Sequence, residues 1–339
     1  GSGATQLSFG TATSGTVNYT WQQVGGGGAT GSGSFSGTAL TITGLPANAI
    51  IRLSISPTNF QRININNGAD RNRLLDVEQW GTTAWTSMAN AFFGCSNLNI
   101  TAKDIPNLSS VKRMEQMFQG CEKLNGPTNI NSWNTGAVEV MTSMFNNAWV
   151  FNQNIGSWNT ANVISMRNMF TRAFSFNQDI SGWNTAKLTR TSGMFEIASS
   201  FNQDISKWNT GAVQDMSNMF RFATSFNQSL DSWDTKAVTN MSGMFENAQK
   251  FNRNIGSWKL NANVDLRFML NNSGMDCSNY AATLVGWNAN PNTPNGRSLG
   301  AAGRTYGSAA TTARANLIGA KGWTITGDAQ SIICGIISA

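Results

Sequence analysis

A ten-residue motif recurs at a fixed spacing of 25 residues through the middle of this 339-residue chain. FNQDISKWNT at 201–210 repeats FNQDISGWNT at 176–185 almost letter for letter, and FNQNIGSWNT at 151–160 is a looser copy. Tryptophans keep the same step, at positions 133, 158, 183, 208, 233 and 258. A fixed period of about 20 to 50 residues is typical of proteins in which each unit stacks only on its neighbours. The sequence therefore predicts a repeat solenoid.

The apolar residues of one repeat predict its local structure. The copy that starts at Val163 carries apolar residues at successive spacings of 3, 3, 1, 3 and 3. This spacing places them on one face of a short helical segment. The following NQDISGWNT predicts a short strand and a turn, because polar residues surround Ile180 and Trp183. We therefore expect about eight turns over residues 76–275, each with one short parallel strand plus one short helix.

The two flanks of the repeat follow other patterns. The segments VNYTWQQV, GTALTITGL, AIIRLSIS and FQRININN alternate in polarity, so residues 1–75 predict a small antiparallel β-sandwich. The glycine-rich run at 25–37 predicts a mobile hairpin loop rather than a phosphate loop, because no Lys-Ser/Thr follows it. Residues 276–328 predict a cap with one helix near Tyr280–Trp287 and a second over Ala309–Ile318, and residues 329–339 a linker or following strand.

The repeat unit MFxxAxxFNQDISxWNTxxVxxM resembles the BspA-like leucine-rich repeat of bacterial surface proteins, in the variant found in mycoplasma lipoproteins and Bacteroidetes proteins. The N-terminal segment is similar to the PKD-like module that precedes such repeats, and the tail resembles their closing segment. The resemblance implies a leucine-rich-repeat-like solenoid, a cell-surface or extracellular location, adhesion, and export by the type IX route of Bacteroidetes.

The composition disfavours most enzyme classes. The chain has no histidine, which removes the commonest general base and metal ligand. Its net charge of +6 is spread thinly, without the basic cluster that nucleic acid requires, and no apolar run is long enough to span a membrane. We expect no cofactor and assign no metal-binding residue, and whether calcium is bound is left open. Cys95 and Cys121 occupy positions where later repeats have alanine, so we expect small buried side chains rather than a disulfide; the state of Cys277 and Cys334 is left open.

Three columns of the repeat allow a functional interpretation. Asp179 and Asp204 occupy equivalent places in adjacent turns, so a glycosidase carboxylate pair, a calcium site and a solvated surface are all open, and the last is favoured. The asparagines that include Asn177 and Asn202 are interpreted as bend amides that bond the next copy, rather than as ligand contacts. The tryptophans are interpreted as a core ladder rather than a sugar-stacking stripe.

These interpretations favour a non-enzymatic interaction or adhesion module that binds a protein or glycan partner through the polar face of the solenoid. Two alternatives remain: a building block of a surface fibre, stalk or layer that pairs with neighbouring copies or tandem modules, suggested by the apolar run 332–337, and a carbohydrate-active enzyme. The candidate partner-binding face consists of Gln153, Asn154, Gln178, Asp179, Gln203, Asp204, Lys207, Gln228, Ser229, Arg253 and Asn254.

Overall fold

The computed structural model describes residues 4–334. Its N-terminal part has six strands: β1 Leu7–Thr13, β2 Val17–Val24, β3 Thr30–Phe35, β4 Ala39–Ile42, β5 Ile50–Ile55 and β6 Phe60–Asn64. They form two three-stranded antiparallel sheets, in the orders β4-β1-β6 and β3-β2-β5. All four segments with alternating polarity form strands, as the sequence predicts, because alternation places apolar residues on one face of a sheet.

The prediction of a mobile hairpin loop over the glycine-rich run at 25–37 is wrong for its second half. Gly25, Gly26, Gly27 and Gly28 have positive φ and make the turn after β2, but residues 30–35 form β3 instead of a mobile loop. Glycine is required within this strand, because a Cβ on Gly31 would lie 2.5 Å from the indole nitrogen of Trp21. The run is therefore a hairpin with a short loop, and its second half supports an aromatic side chain of β2.

The predicted fold class, a leucine-rich-repeat-like solenoid with one short parallel strand and one short helix per turn, is wrong. Between residues 76 and 275 the regular elements are β7 Asp76–Val77, β8 Asn99–Ile100 and a single 3₁₀ turn at Ile130–Ser132. Within residues 4–334 there are only two α-helices, both beyond residue 276, and every sheet has two or three strands. The repeats consist of turns, loops and single-residue bridges.

The backbone hydrogen bonds explain why the repeat forms no helix. Met166, Asn168 and Phe170 donate their N–H groups to carbonyls of the next repeat at 2.9–3.0 Å. The intervening Met169 and Thr171 donate to the carbonyl three residues back. An α-helix would instead direct every N–H to the carbonyl four residues back. The same apolar spacing therefore arises from consecutive turns, which bury the same side chains that a helix would bury.

Each repeat contains two residues in the left-handed backbone region, which ends any helix before it can form. The first column contains Asn90, Gln116, Ser143, Asn168, Gly193, Asn218, Gly243 and Phe268. The second column, four residues later, contains Gly94, Gly120, Asn147, Arg172, Ile197, Phe222, Asn247 and Asn272. Asparagine and glycine predominate because they tolerate positive φ best.

Ile197 is the least suitable residue in the second column. Its φ is +60°, a conformation that is strained for a β-branched side chain. We expect Ile197→Asn to raise the free energy of unfolding by about 1 kcal/mol, because the strain of the left-handed conformation is of order 1–3 kcal/mol and the half-buried side chain loses some apolar contact. Urea denaturation followed by tryptophan fluorescence measures the change. The matched control Asn247→Ile, at φ +57°, should lower stability; a destabilised Ile197→Asn protein would contradict the expectation.

The 25-residue repeats stack in register, and we call each repeat with its bonds to the next a layer. One parallel single-residue bridge joins each layer to the next, along the series Arg113, Val140, Ser165, Arg190, Asp215, Asn240 and Asp265. Phe145, Phe170 and Phe195 stack on one another with ring centroids 5.7 Å apart, and each also stacks on the second phenylalanine of its own layer. All of these rings are fully buried. The stacked rings make one continuous core along the repeats.

Two predictions about buried residues are confirmed. The six tryptophans of the repeat are at most 5% exposed, so they form a core ladder and not a surface stripe. From Trp158 to Trp258 each indole N–H donates to a backbone carbonyl of the preceding layer at 2.8–3.1 Å. Cys95 and Cys121 are free, fully buried thiols. Burial raises the pKa of Cys95 to about 12 and that of Cys121 well above its usual value.

The C-terminal part contains both predicted helices, α1 Cys277–Ala289 and α2 Ser308–Gly319. Between and after them lie β9 Ser298–Gly300, β10 Thr305–Tyr306, β11 Thr324–Thr326 and β12 Ala329–Gln330, which pair in parallel as β9 with β11 and β10 with β12. Leu299 bridges to Leu266, so this part continues the stack. A disulfide joins Cys277 at the start of α1 to Cys334, a pairing that the sequence left open.

The predicted boundaries at residues 75, 275 and 328 stay predictions. Part of the predicted segment 329–339 is described: it begins with β12 and continues to Cys334. Ile332 and Ile333 are strongly exposed, at 94% and 70%, whereas residues 335–337 of the apolar run lie outside the described residues.

Candidate functional site

The predicted partner-binding face centres on one column of polar side chains, one from each layer. Asn154, Asp179, Asp204 and Asn254 are exposed, and each accepts a hydrogen bond from the backbone N–H two residues later at 2.9 Å. Short polar side chains favour such turns because they bond their own backbone. Ser229 differs, because its hydroxyl donates to Asp231. The column is therefore an array of similar turns that hold different outward groups.

The glutamines of the predicted face are less exposed than the column beside them, and their side chains bond the preceding layer. Gln178, Gln203 and Gln228 are half-buried. Their side-chain amides donate to the bend asparagine of the preceding layer at 2.9–3.0 Å: Gln178 to Asn152, Gln203 to Asn177 and Gln228 to Asn202. Gln153 makes the same contact with Asn125, and Arg253 donates to the carbonyl of Asn227. Within the predicted face, the exposed residues are therefore the column with Lys207 and Arg253.

The asparagine column has the structural role that the sequence predicts. The side-chain oxygens of Asn125, Asn152, Asn177, Asn202 and Asn227 accept the backbone N–H of the equivalent residue in the next layer at 2.8–3.0 Å. A buried backbone donor without a partner would cost free energy, so this column satisfies one such group per layer. These amides join the layers and are not free to meet a ligand.

The threonine of each WNT motif is a further structural contact that sequence reasoning missed. Thr160, Thr185 and Thr210 are buried, and each hydroxyl donates to a carbonyl of the next layer at 2.9–3.0 Å. The signal was its strict repetition beside tryptophan. In FNQDISKWNT, Asn202, Gln203, Trp208 and Thr210 thus each bond a neighbouring layer, whereas the outward Asp204 bonds only its own turn.

The surroundings of the two aspartates in the column favour their ionised form. The pKa of Asp179 is lowered, mainly by the backbone N–H of Ser181, and that of Asp204 is lowered, mainly by the hydroxyl of Ser206. Lys207 lowers both pKa values, while the charge of Asp204 raises that of Asp179. A glycosidase acid would need a raised pKa. The pair therefore presents negative charge beside one ammonium group and offers no proton at neutral pH.

No group of three or more His, Cys, Asp or Glu side chains among residues 4–334 is arranged to hold a metal ion. In the same part of the chain, no helix is both long and apolar enough to cross a membrane.

The family described as "Mycoplasma protein of unknown function, DUF285" matches residues 63–183 and again 174–283. Together the two matches cover more than half of the sequence. The chain belongs to this family. The DUF285 family relates to BspA-like surface repeat proteins, which is the coarser part of the resemblance seen in the sequence. No curated protein and no solved structure matches the chain. The leucine-rich repeat, the Bacteroidetes source and the type IX export route receive no support from these comparisons.

Two adjacent layers within the DUF285 match carry exposed aromatic residues that the sequence analysis did not select. Trp149 is 41% exposed, Phe174 is 37% exposed, and their ring centroids lie 6.2 Å apart in adjacent layers. They occupy the position immediately after the buried alanine, where later layers have Ser199, Thr224 and Gln249. An aromatic residue outside the apolar spacing, at a position that is otherwise polar, was the signal for an exposed ring.

Proposed function

We propose that this DUF285 chain is a non-enzymatic interaction module of a cell-surface or extracellular protein, which binds a protein or glycan partner through the exposed polar column. One observation carries the proposal. The turn geometry of the column is constant from layer to layer, while the outward group changes from amide to carboxylate to hydroxyl. A scaffold that keeps its backbone fixed and varies the groups it presents is suited to recognition.

The rigidity of this display supports the proposal. Behind the column, Ile180 and Ile205 are fully buried, and the neighbouring glutamines are bonded to the preceding layer. The outward groups are thus held in place before any partner arrives, which reduces the entropy lost on binding. Affinity would arise from many modest contacts over a broad area.

The location of the module also belongs to the proposal. The disulfide between Cys277 and Cys334 supports an oxidising compartment, because such bonds persist mainly in secreted and surface proteins. The relation of the family to surface repeat proteins supports the same location. Assembly with neighbouring copies, and export by the type IX route, stay predictions.

A charge-only variant of the column tests the proposal. In the triple variant Asp179→Asn, Asp204→Asn, Lys207→Ser, each new residue type already occurs at the equivalent position of another layer. The turns should be retained, because Asn154 and Asn254 make the same bond as the aspartates. We expect stability within about 0.5 kcal/mol of the parent. Affinity for the partner should fall about tenfold for each charge-assisted contact that is lost, because such a contact contributes about 1.5 kcal/mol or more.

The partner is first sought by screening the parent protein against matrix proteins, glycan arrays and whole cells. Biolayer interferometry then compares the parent with the triple variant, and urea denaturation verifies that the fold is retained. Unchanged affinity in the variant would contradict binding at the column, and a screen without any hit would remove the support for an adhesion role.

A further inference from the structure

The charges on the turn ribbon are distributed unevenly along the stack. The ribbon is the stretch of each layer from the bridging residue to the second residue after the buried alanine or its equivalent, namely 113–123, 140–150, 165–175, 190–200, 215–225, 240–250 and 265–275. Three consecutive segments, 140–150, 165–175 and 190–200, are here called the early ribbon; they contain three arginines, Arg167, Arg172 and Arg190, and a single acid, Glu196, whereas segment 113–123 has two basic and two acidic residues. That acid is ion-paired with Arg221 at 3.0 Å, which also bonds Glu246 at 2.7 Å, so it forms no ion pair with the three arginines.

The three arginines of this early ribbon are not neutralised. All three are exposed, and none of their guanidinium groups has a hydrogen bond or ion pair within residues 4–334. In the later segments the charges are mostly paired internally, as in the contact of Arg267 with Asp265 at 2.7 Å. The unpaired positive charge of the ribbon is therefore concentrated in the early ribbon.

Two exposed rings lie on the same early segments. Trp149 and Phe174 contact each other in adjacent layers, and Phe174 follows Arg172 by two residues on the same ribbon. In this stretch the side chains of Met166, Met169, Phe170 and Ala173 are buried in the core, so the exposed residues between them face away from it. An exposed apolar patch rimmed by polar or charged groups is typical of an interaction site.

We propose that the early ribbon, with Trp149, Arg167, Arg172, Phe174 and Arg190, is a binding site for a linear polysaccharide that carries carboxylates, a polyuronate. The apolar faces of its sugar rings stack on Trp149 and Phe174, and its carboxylates accept hydrogen bonds from the guanidinium groups, whose planar fork matches a carboxylate. A linear polymer fits because the five side chains extend along three layers instead of surrounding one pocket. The site is separate from the polar column. In each of its three layers a fully buried phenylalanine, Phe151, Phe176 or Phe201, lies in sequence between the ribbon and the column.

Polygalacturonate is the probe. It is titrated into the protein by isothermal titration calorimetry at low ionic strength. The variants take residues from other layers: Arg167→Ser, Arg172→Asn and Arg190→Asn together, and separately Trp149→Gln with Phe174→Ser. We expect each set to weaken binding about tenfold or more, and added salt to weaken binding to the parent protein. A melting temperature within about 2 °C of the parent verifies the fold.

The controls separate a specific site from bulk charge. Replacing the exposed Lys103, Lys236 and Lys259 by glutamine removes the same net charge elsewhere and should leave the affinity unchanged within about twofold. Equal loss in this variant, equal binding of neutral dextran, or equal binding of polyglutamate would overturn the proposal, as would no binding by the parent. The triple variant of the polar column should still bind polygalacturonate, so this site and the column can fail independently.

Discussion

Replacing Asp328 by alanine is expected to lower the free energy of unfolding by about 3–5 kcal/mol, among the largest effects of any single substitution in this chain. The Asp328 side chain is fully buried. It accepts two hydrogen bonds from Arg314 at 2.7 and 2.8 Å and one from the hydroxyl of Tyr280 at 2.8 Å. Truncation leaves a largely buried guanidinium and a buried phenol hydroxyl without their partner.

The effect of this substitution should be visible in the last layers first. Asp328 connects α1, α2 and the segment before β12, and no repeated column replaces it. Guanidinium chloride denaturation with hydrogen exchange of the α1 and α2 amides measures both the loss and its location. The control Glu139→Ala removes the partner of Lys112 in an exposed ion pair and should have little effect. Equal stability of the two variants would contradict the role of Asp328.

The roles of the tryptophan and asparagine columns could be predicted because the same residues recur every 25 positions in the sequence. These residues recur beside the same neighbours, so all six tryptophans are buried, and the copies from residue 151 onward make equivalent hydrogen bonds between layers. The structure adds that Trp208 donates to Ile180 and that Asn202 accepts from Asn227, which are contacts between layers. Repetition thus identifies residues that need an identical neighbour one period away.

The local backbone could not be predicted in the same way. Spacings of 3, 3, 1, 3 and 3 fit one face of a helix, but they fit consecutive turns equally well, since both bury every third or fourth side chain. The deciding residues are those at positive φ, such as Asn168 and Arg172. Asparagine and glycine in the first column were a signal against a helix, but Arg172, Ile197 and Phe222 gave no such signal in the second.

The candidate site was predicted only in part, for a physical reason. Repetition finds the residues that hold the layers together, and a binding surface is made by the residues that break the repetition. Asp204 and Lys207 differ between copies and were found in this way. Trp149 and Phe174 also differ from their equivalents, and their position outside the apolar spacing indicates exposure, but the usual burial of aromatic residues outweighs that signal until the structure shows the exposed rings.

The disulfide between Cys277 and Cys334 could not be derived from spacing, because 57 residues and two helices separate the cysteines. The four cysteines of the chain allow three ways of forming two disulfides, and only the tertiary contact between the start of α1 and the segment after β12 selects this pair.

Truncation of Trp208 to alanine is the second substitution expected to have a large effect, a loss of about 3–5 kcal/mol in the free energy of unfolding. The indole is 5% exposed, stacks on Trp183 with centroids 6.3 Å apart, and donates to the carbonyl of Ile180 at 3.1 Å. The substitution opens a cavity between two layers and leaves that buried carbonyl without its side-chain donor. Urea denaturation followed by far-ultraviolet circular dichroism measures the loss.

Trp149→Ala is the matched control, because it removes the same side chain two layers earlier, where the ring is 41% exposed. Its cost should be much smaller, since a ring that is already 41% exposed loses less buried apolar surface on truncation. Trp208→Phe should lie between the two, because it retains an aromatic ring in the ladder but loses the indole N–H. Equal losses for Trp208→Ala and Trp149→Ala would show that the tryptophan ladder does not stabilise the stack. If Trp208→Ala unfolds all layers in a single transition, the layers form one cooperative unit, because a defect in one layer removes the surface on which both neighbours pack.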